Sequence, residues 1–259
     1  MRPRPLLAVA IAALAVTCVT TSAVAGDWLT IRRGGVDAIL DAARSAQATK
    51  AWGASYKAKV AKGHPLEKIR VHVAWRPRAV AKGVAQRYES VTTITGLKGG
   101  KAGVATVGDK TWTRLPGGKV SAATGKALTT VIPKIAAPLM LFATLAMTHA
   151  FDTKLEGEFG GTAVMRLNAK YAGMQGLTTC KLGVSKRNRF AEMAEVGVGD
   201  GGKDVKLAWF NVALIRGQLI PDGLRLMRDG GTVVVDFDRV GLKLGKSASK
   251  LKFGTAALR

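Results

Sequence analysis

Trp52 to Val60 reads Trp-Gly-Ala-Ser-Tyr-Lys-Ala-Lys-Val, and its apolar residues recur at every second position. Trp52, Ala54, Tyr56, Ala58 and Val60 fall on one side, while Ser55, Lys57 and Lys59 fall on the other. A period of two marks a strand buried on one face, because successive side chains of an extended backbone point to opposite sides. The pattern returns in Ile69, Val71, Val73 and Trp75 against Arg70, His72 and Arg76. Both segments are half-exposed strands.

Outward from this pair the same grammar continues. Strands are predicted over Tyr88 to Gly96, Ala102 to Val107, Lys110 to Leu115, Thr153 to Phe159, Ala163 to Lys170 and Leu177 to Ser185. Arg189 to Val198, Val205 to Arg216, Leu224 to Arg228 and Thr232 to Asp238 follow. Turn signals part them: the glycine-rich Leu97 to Gly103, Gly108-Asp109, Pro116-Gly117-Gly118, Gly160-Gly161, Pro221-Asp222-Gly223 and Asp229-Gly230-Gly231. About a dozen strands in meander order imply a mainly β chain with some helix, built on one large, curved antiparallel sheet. Ahead of them, Gly35 to Lys50 reads as a helix, with Val36, Ile39, Leu40 and Ala43 at helical spacing and Asp37 in its first turn.

One segment breaks the alternation. Leu128 to Phe151 is apolar on nearly every side and is interrupted by Pro133 and Pro138. Leu, Met and Ala predominate from Leu139 to Ala150, so a helix is predicted there, with Pro138 at its first turn. A helix that is apolar all round must be buried on most sides or face something other than water. Inserted into the concave side of the sheet, it would either complete the core or cap an apolar pocket.

The first 25 residues read as a signal peptide: Arg2 and Arg4, an uncharged apolar run from Leu6 to Val16, then Ala23-Val24-Ala25 as the cleavage site. Cleavage after Ala25 leaves residues 26–259 as a single domain in the periplasm, which retains Cys180 as its one cysteine. Cys180 reads as a small strand hydrophobe. The formal net charge of the chain is +23. Export removes nucleic acid from the partners of so basic a protein and leaves anionic membrane surfaces.

Apparent chemical motifs dissolve on inspection. Gly197, Gly199 and Gly202 match G-x-G-x-x-G, but a strand follows where a phosphate loop needs a helix N-terminus. Glu156 with Glu158, and Asp236 with Asp238, are explained by alternation on a solvent face. His64, His72 and His149 show no metal-ligand spacing, and no serine sits in a G-x-S-x-G elbow. These observations point away from an enzyme and call for no cofactor or metal.

The chain resembles the outer-membrane lipoprotein-sorting proteins, periplasmic carriers similar to LolA and LolB. The resemblance is carried by Gly108-Asp109-Lys110-Thr111-Trp112 with Leu115-Pro116, and by Leu155-Glu156-Gly157-Glu158 with the strand Val164 to Lys170. Phe210-Asn211-Val212, Gln218-Leu219-Ile220-Pro221, Leu224 to Met227, and the tail Lys252-Phe253 to Leu258 extend it. It implies an unclosed β-barrel capped by helices on its concave side. It also implies an apolar cavity that holds acyl chains of lipoproteins or phospholipid between an inner-membrane donor transporter and an outer-membrane acceptor. Trp75, Trp112, Leu139, Phe142, Leu145 and Met147, large and apolar in the strands or the lid, are the expected lining residues. A non-enzymatic envelope module that binds anionic membrane or a partner complex through its basic surface is the other reading.

Overall fold

The predicted alternation becomes hydrogen-bonded ladder almost everywhere it occurs. The computed structural model describes residues 22–47, 49–78, 87–108, 110–122, 151–169, 179–198, 204–228 and 233–259. Two helices come first, α1 (Ser22–Arg33) and α2 (Gly35–Gln47). One arm of the sheet follows, with β1 (Trp52–Ala58), β2 (Arg70–Arg78), β3 (Arg87–Leu97), β4 (Gly100–Val107), β5 (Lys110–Arg114) and β6 (Val120–Ala122). The other arm is β7 (Phe151–Phe159), β8 (Thr162–Ala169), β9 (Thr179–Ser185), β10 (Ala191–Val198), β11 (Asp204–Ile215), β12 (Gln218–Arg228) and β13 (Val233–Leu244). Two single turns of helix close the chain, α3 (Lys246–Ser249) and α4 (Thr255–Leu258).

Among the described residues the strands form one 13-stranded sheet in the order β6-β5-β4-β3-β2-β1-β13-β12-β11-β10-β9-β8-β7, every neighbour antiparallel. Each arm is a local meander, and the arms meet at the ladder of β1 with β13. The free edges are β6 and β7, so the sheet is open and does not close into a barrel. The expected apolar insert of residues 128–151 lies between these edges in the chain and outside the described residues, except that Phe151 opens β7 and is buried.

The inner face carries the main core. Trp52, Tyr56, Val71, Val73 and Trp75 from one arm join Met165, Leu182, Phe210, Leu224 and Phe237 from the other. The helix packed against this face is α2, whose Ile39, Leu40 and Ala43 are buried there together with Trp28 of α1. Cys180 lies in the same core. Fully burying side chains of this size contributes roughly 1.5–3 kcal/mol each.

The outer face of β1–β5 is covered as well, which alternation on single strands does not reveal. Ala74, Val91 and Ala105 form a second core with Leu258, and Trp112, Leu251 and Phe253 pack against it. The chain after β13 reaches this face because Gly53 and Gly103 leave room for it: a Cβ on Gly53 would stand 2.8 Å from Leu251 Cδ1, and one on Gly103 2.9 Å from Leu258 Cδ2. Polar ties hold the segment in place. Arg114 donates to the main-chain oxygens of Leu258 and Arg259 at 2.7 and 2.8 Å, and Lys101 donates to the Ala257 carbonyl at 2.8 Å. The Arg76 guanidinium stacks 4.2 Å over Phe253 while its Nε donates to Glu89 at 2.7 Å.

Pro221-Asp222-Gly223 corrects the sequence reading. It is not a turn but part of β12, where Asp222 is the extra residue of a bulge between Val212↔Pro221 and Asn211↔Gly223. The turn lies earlier, at Arg216-Gly217, whose φ angles of 50° and 75° suit a two-residue hairpin between Ile215 and Gln218. A bulge accommodates proline in a strand, since the ladder is interrupted there anyway. The Pro221 carbonyl accepts a 2.9 Å hydrogen bond from the Tyr56 hydroxyl.

Candidate functional site

Polar side chains at the C-terminal end of α2 tie it to both arms of the sheet. Trp52 Nε1 donates to the Gln47 carbonyl at 2.6 Å, Ser45 Oγ shares a 2.9 Å hydrogen bond with the Tyr88 hydroxyl, and Gln47 Nε2 reaches the Ala191 carbonyl at 3.5 Å. Gln218 of β12 donates to the Lys50 carbonyl at 2.9 Å. The helix thus bridges the β3 side and the β10–β12 side without filling the space at their rim.

That space is a cleft of about 870 Å³. Ala42 and Ala46 of α2 form one wall, Pro77 and Tyr88 of β2 and β3 a second, and Leu214 and Leu219 of the β11–β12 hairpin a third. Tyr88 and Leu219 belong to the inner core, so the cleft is floored by the sheet's apolar interior. Leu214 is 70% exposed, a large apolar side chain presented to the opening.

The β9–β10 turn supplies the polar end. Phe190 is fully buried, its carbonyl accepts from Ser185 N at 2.9 Å, and Asn188 Oδ1 accepts from Phe190 N at 2.8 Å. Arg189 takes φ 61° to complete this tight loop. The loop brings Arg187 and Arg189 to the cleft, and no Asp or Glu lines it among the described residues. Burial, with Asp41 nearby, pushes the Tyr88 phenol pKa up against the lowering influence of the Ser45 hydrogen bond and Arg44. An apolar floor under guanidinium groups suits an amphiphile with an anionic head.

Of the expected lining residues, Trp75 lies nearest. It is fully buried in the inner core, and its ring is 6.5 Å from that of Tyr88, tilted by 53°. Trp112 is on the opposite face of the sheet, half-buried against the second core. The structure therefore does not bring these two tryptophans together. Leu139, Phe142, Leu145 and Met147 lie outside the described residues. Sequence reasoning missed Tyr88, Leu214 and Arg187; the basic run Lys186-Arg187-Asn188-Arg189 between two apolar strands was the available signal.

The other apparent motifs are structural. Glu156 pairs with Arg166 and Lys181 at 3.2 and 3.3 Å, Glu158 with Arg32 and Lys186 at 2.8 and 3.1 Å, and Asp236 with Arg225 at 2.7 Å. Among the described residues no three His, Cys, Asp or Glu side chains converge to hold a metal ion. No described helix is long and apolar enough to cross a membrane.

A DUF1329 family protein from Desulfovibrio piger is similar to this chain over 92% of its length and 99% of that chain, with a TM-score of 0.54 and 13% identity. The likeness is one of fold. A LolA superfamily protein from Nitrosomonas europaea covers 81% of this chain and 93% of its own at 16% identity, with a TM-score of 0.49. A putative outer membrane lipoprotein-sorting protein domain from Vibrio parahaemolyticus covers 86% and 94% at 14% identity, also with a TM-score of 0.49. No family profile matches the chain, and no curated protein matches it.

Proposed function

We propose that this chain is a periplasmic carrier that shelters acyl chains of lipoproteins or lipids in an apolar space and passes them toward the outer membrane. The observation that carries the reading is the rim cleft, where Ala42, Ala46, Pro77, Leu214 and Leu219 stand in the walls, inner-face core lies beneath, and Arg187 and Arg189 take part in the lining. Each methylene withdrawn from water contributes about 0.8 kcal/mol, so one or two acyl chains can be held reversibly by a space of this kind. The resemblance read from the sequence supplies the cargo class.

Export follows from the first 25 residues. Cleavage after Ala25 keeps Trp28, which is buried in the inner core, and Arg32, which pairs with Glu158. Trp75, Leu139, Phe142, Leu145 and Met147 are carried forward as candidate wall residues of the same space. Trp112 belongs to the proposal only if acyl chains also reach the outer face.

The test is native mass spectrometry, with lipid extraction, of protein purified from the periplasm without detergent. A stoichiometric lipid or acylated peptide is expected. A lipid-free mass together with no uptake of a fluorescent fatty acid would overturn the carrier reading.

A further inference from the structure

Several basic side chains of the described sheet surface are matched to acids. Arg76 and Arg78 face Glu89, Lys181 stands between Glu156 and Glu195, Arg225 meets Asp236, and Arg239 meets Asp222. Elsewhere, basic side chains gather around a cavity. Between the outer face of β1–β4 with β13 and the segment that covers it lies a pocket of about 500 Å³, lined by Lys101, Lys243, Lys252 and Arg259 together with His72. No Asp or Glu lines it among the described residues. We propose that this pocket is a binding site for a phosphate-type anion, the chemistry that a lipid headgroup and free phosphate share.

Three observations support the assignment. The volume falls within the roughly 300–1,000 Å³ of small-molecule sites and leaves room for more than one oxyanion. Its lining also includes apolar side chains, Ala74 and Val91 from the sheet and Leu251 and Ala257 from the covering segment. The positive charges also crowd one another: Lys101 is pushed below its ordinary pKa by burial and by Arg114 and Lys252, and the neighbouring His72 is pushed down by burial and by Lys101, Arg70 and Lys243. His72 is fixed by a 2.8 Å hydrogen bond between its Nδ1 and Ser55 Oγ. An anion seated among them relieves that repulsion through charge-assisted hydrogen bonds. This inference is independent of acyl carriage, which uses the rim of the inner face.

Calorimetric titration of the full chain tests it, with inorganic phosphate, short-chain dihexanoyl phosphatidylglycerol and phosphate-free dihexanoylglycerol as probes. Lys243 and Lys252 are exposed and hold no other element, so K243A/K252A keeps the fold. One-to-one binding of a phosphate-bearing probe is expected, weakened about tenfold or more in K243A/K252A. Binding of phosphatidylglycerol alone makes the ligand a lipid headgroup, and binding of inorganic phosphate alone makes it the free oxyanion; both support the site. The proposal is overturned if neither binds, if dihexanoylglycerol binds equally well, or if the distant exposed pair K59A/K62A loses as much affinity as K243A/K252A.

Discussion

Glu192 sits at a bulge between Ala191 and Met193, where its carboxylate accepts from Thr162 Oγ1 at 3.1 Å. Burial raises its pKa above the ordinary 4.5, against the lowering influence of the Thr162 and Ser185 hydrogen bonds. The folded state therefore holds this proton more tightly than the unfolded chain. The associated stability is fully present below the unfolded pKa and is lost as pH rises through the folded one. E192Q keeps an acceptor for Thr162 and removes the ionisation. Its stability relative to the parent should rise between pH 4 and pH 7, measured by urea unfolding at both; a constant difference would refute the assignment. Residue-scale reading of the sequence succeeded for faces and failed for their surroundings. Alternation places Trp75 and Trp112 on opposite sides of their strands only once the register Trp75↔Ser90↔Thr106↔Thr111 is known, and a single sequence does not contain it. Proline was read as a turn at Pro221 because its lost N–H is normally excluded from a ladder, and the bulge that tolerates it is a pairing property.

At the scale of elements, close packing decides which substitutions are tolerated. Gly103 lies between Leu258 and the Thr92 carbonyl, 2.8 Å from where a Cβ would meet that oxygen. Neither backbone nor buried leucine can yield freely, so G103A should cost about 1–3 kcal/mol in denaturant unfolding. It should also raise hydrogen exchange in residues 251–259, which a purely local strain would leave unchanged. Helix α2 offers the opposite case. Ala46 is half-buried and lines the rim cleft, where there is space to receive a larger side chain. A46W should fold normally and lose most of its uptake of a fluorescent fatty acid; undiminished uptake would place acyl binding elsewhere. The strands and α2 were legible because each has one dominant period over enough residues. The cleft was not, because its walls come from five segments that are distant in sequence.

At the scale of the molecule, an open sheet with a cargo space predicts that ligand and stability are coupled. A ligand that binds only the folded chain, present at about a hundredfold its Kd, adds about 2.7 kcal/mol. For a domain of this size that corresponds to a rise in Tm of about 5–10 °C. Thermal unfolding with and without an acylated peptide at about a hundredfold its Kd should show this rise, and an unmoved Tm would count against enclosure of the acyl chains. The single open sheet itself was legible from the succession of strands and turns, since meander order leaves few topologies to consider. The seam was hidden, because nothing in either strand alone announces that β1 will lie against β13.

That seam has a kinetic meaning. Every other ladder joins strands consecutive in the chain, whereas β1 and β13 pair Trp52 with Leu244 and Ala58 with Phe237, residues separated by almost the whole sheet. Each arm can therefore assemble from local hairpins, but their union must await the slow closure of a very long loop. Folding should be biphasic, with early protection of amides within the arms and late protection of β1 and β13 in pulse-labelling hydrogen exchange. Tyr56, reaching from β1 beyond β13 to the Pro221 carbonyl of β12, is placed to fasten the arms as that late step completes.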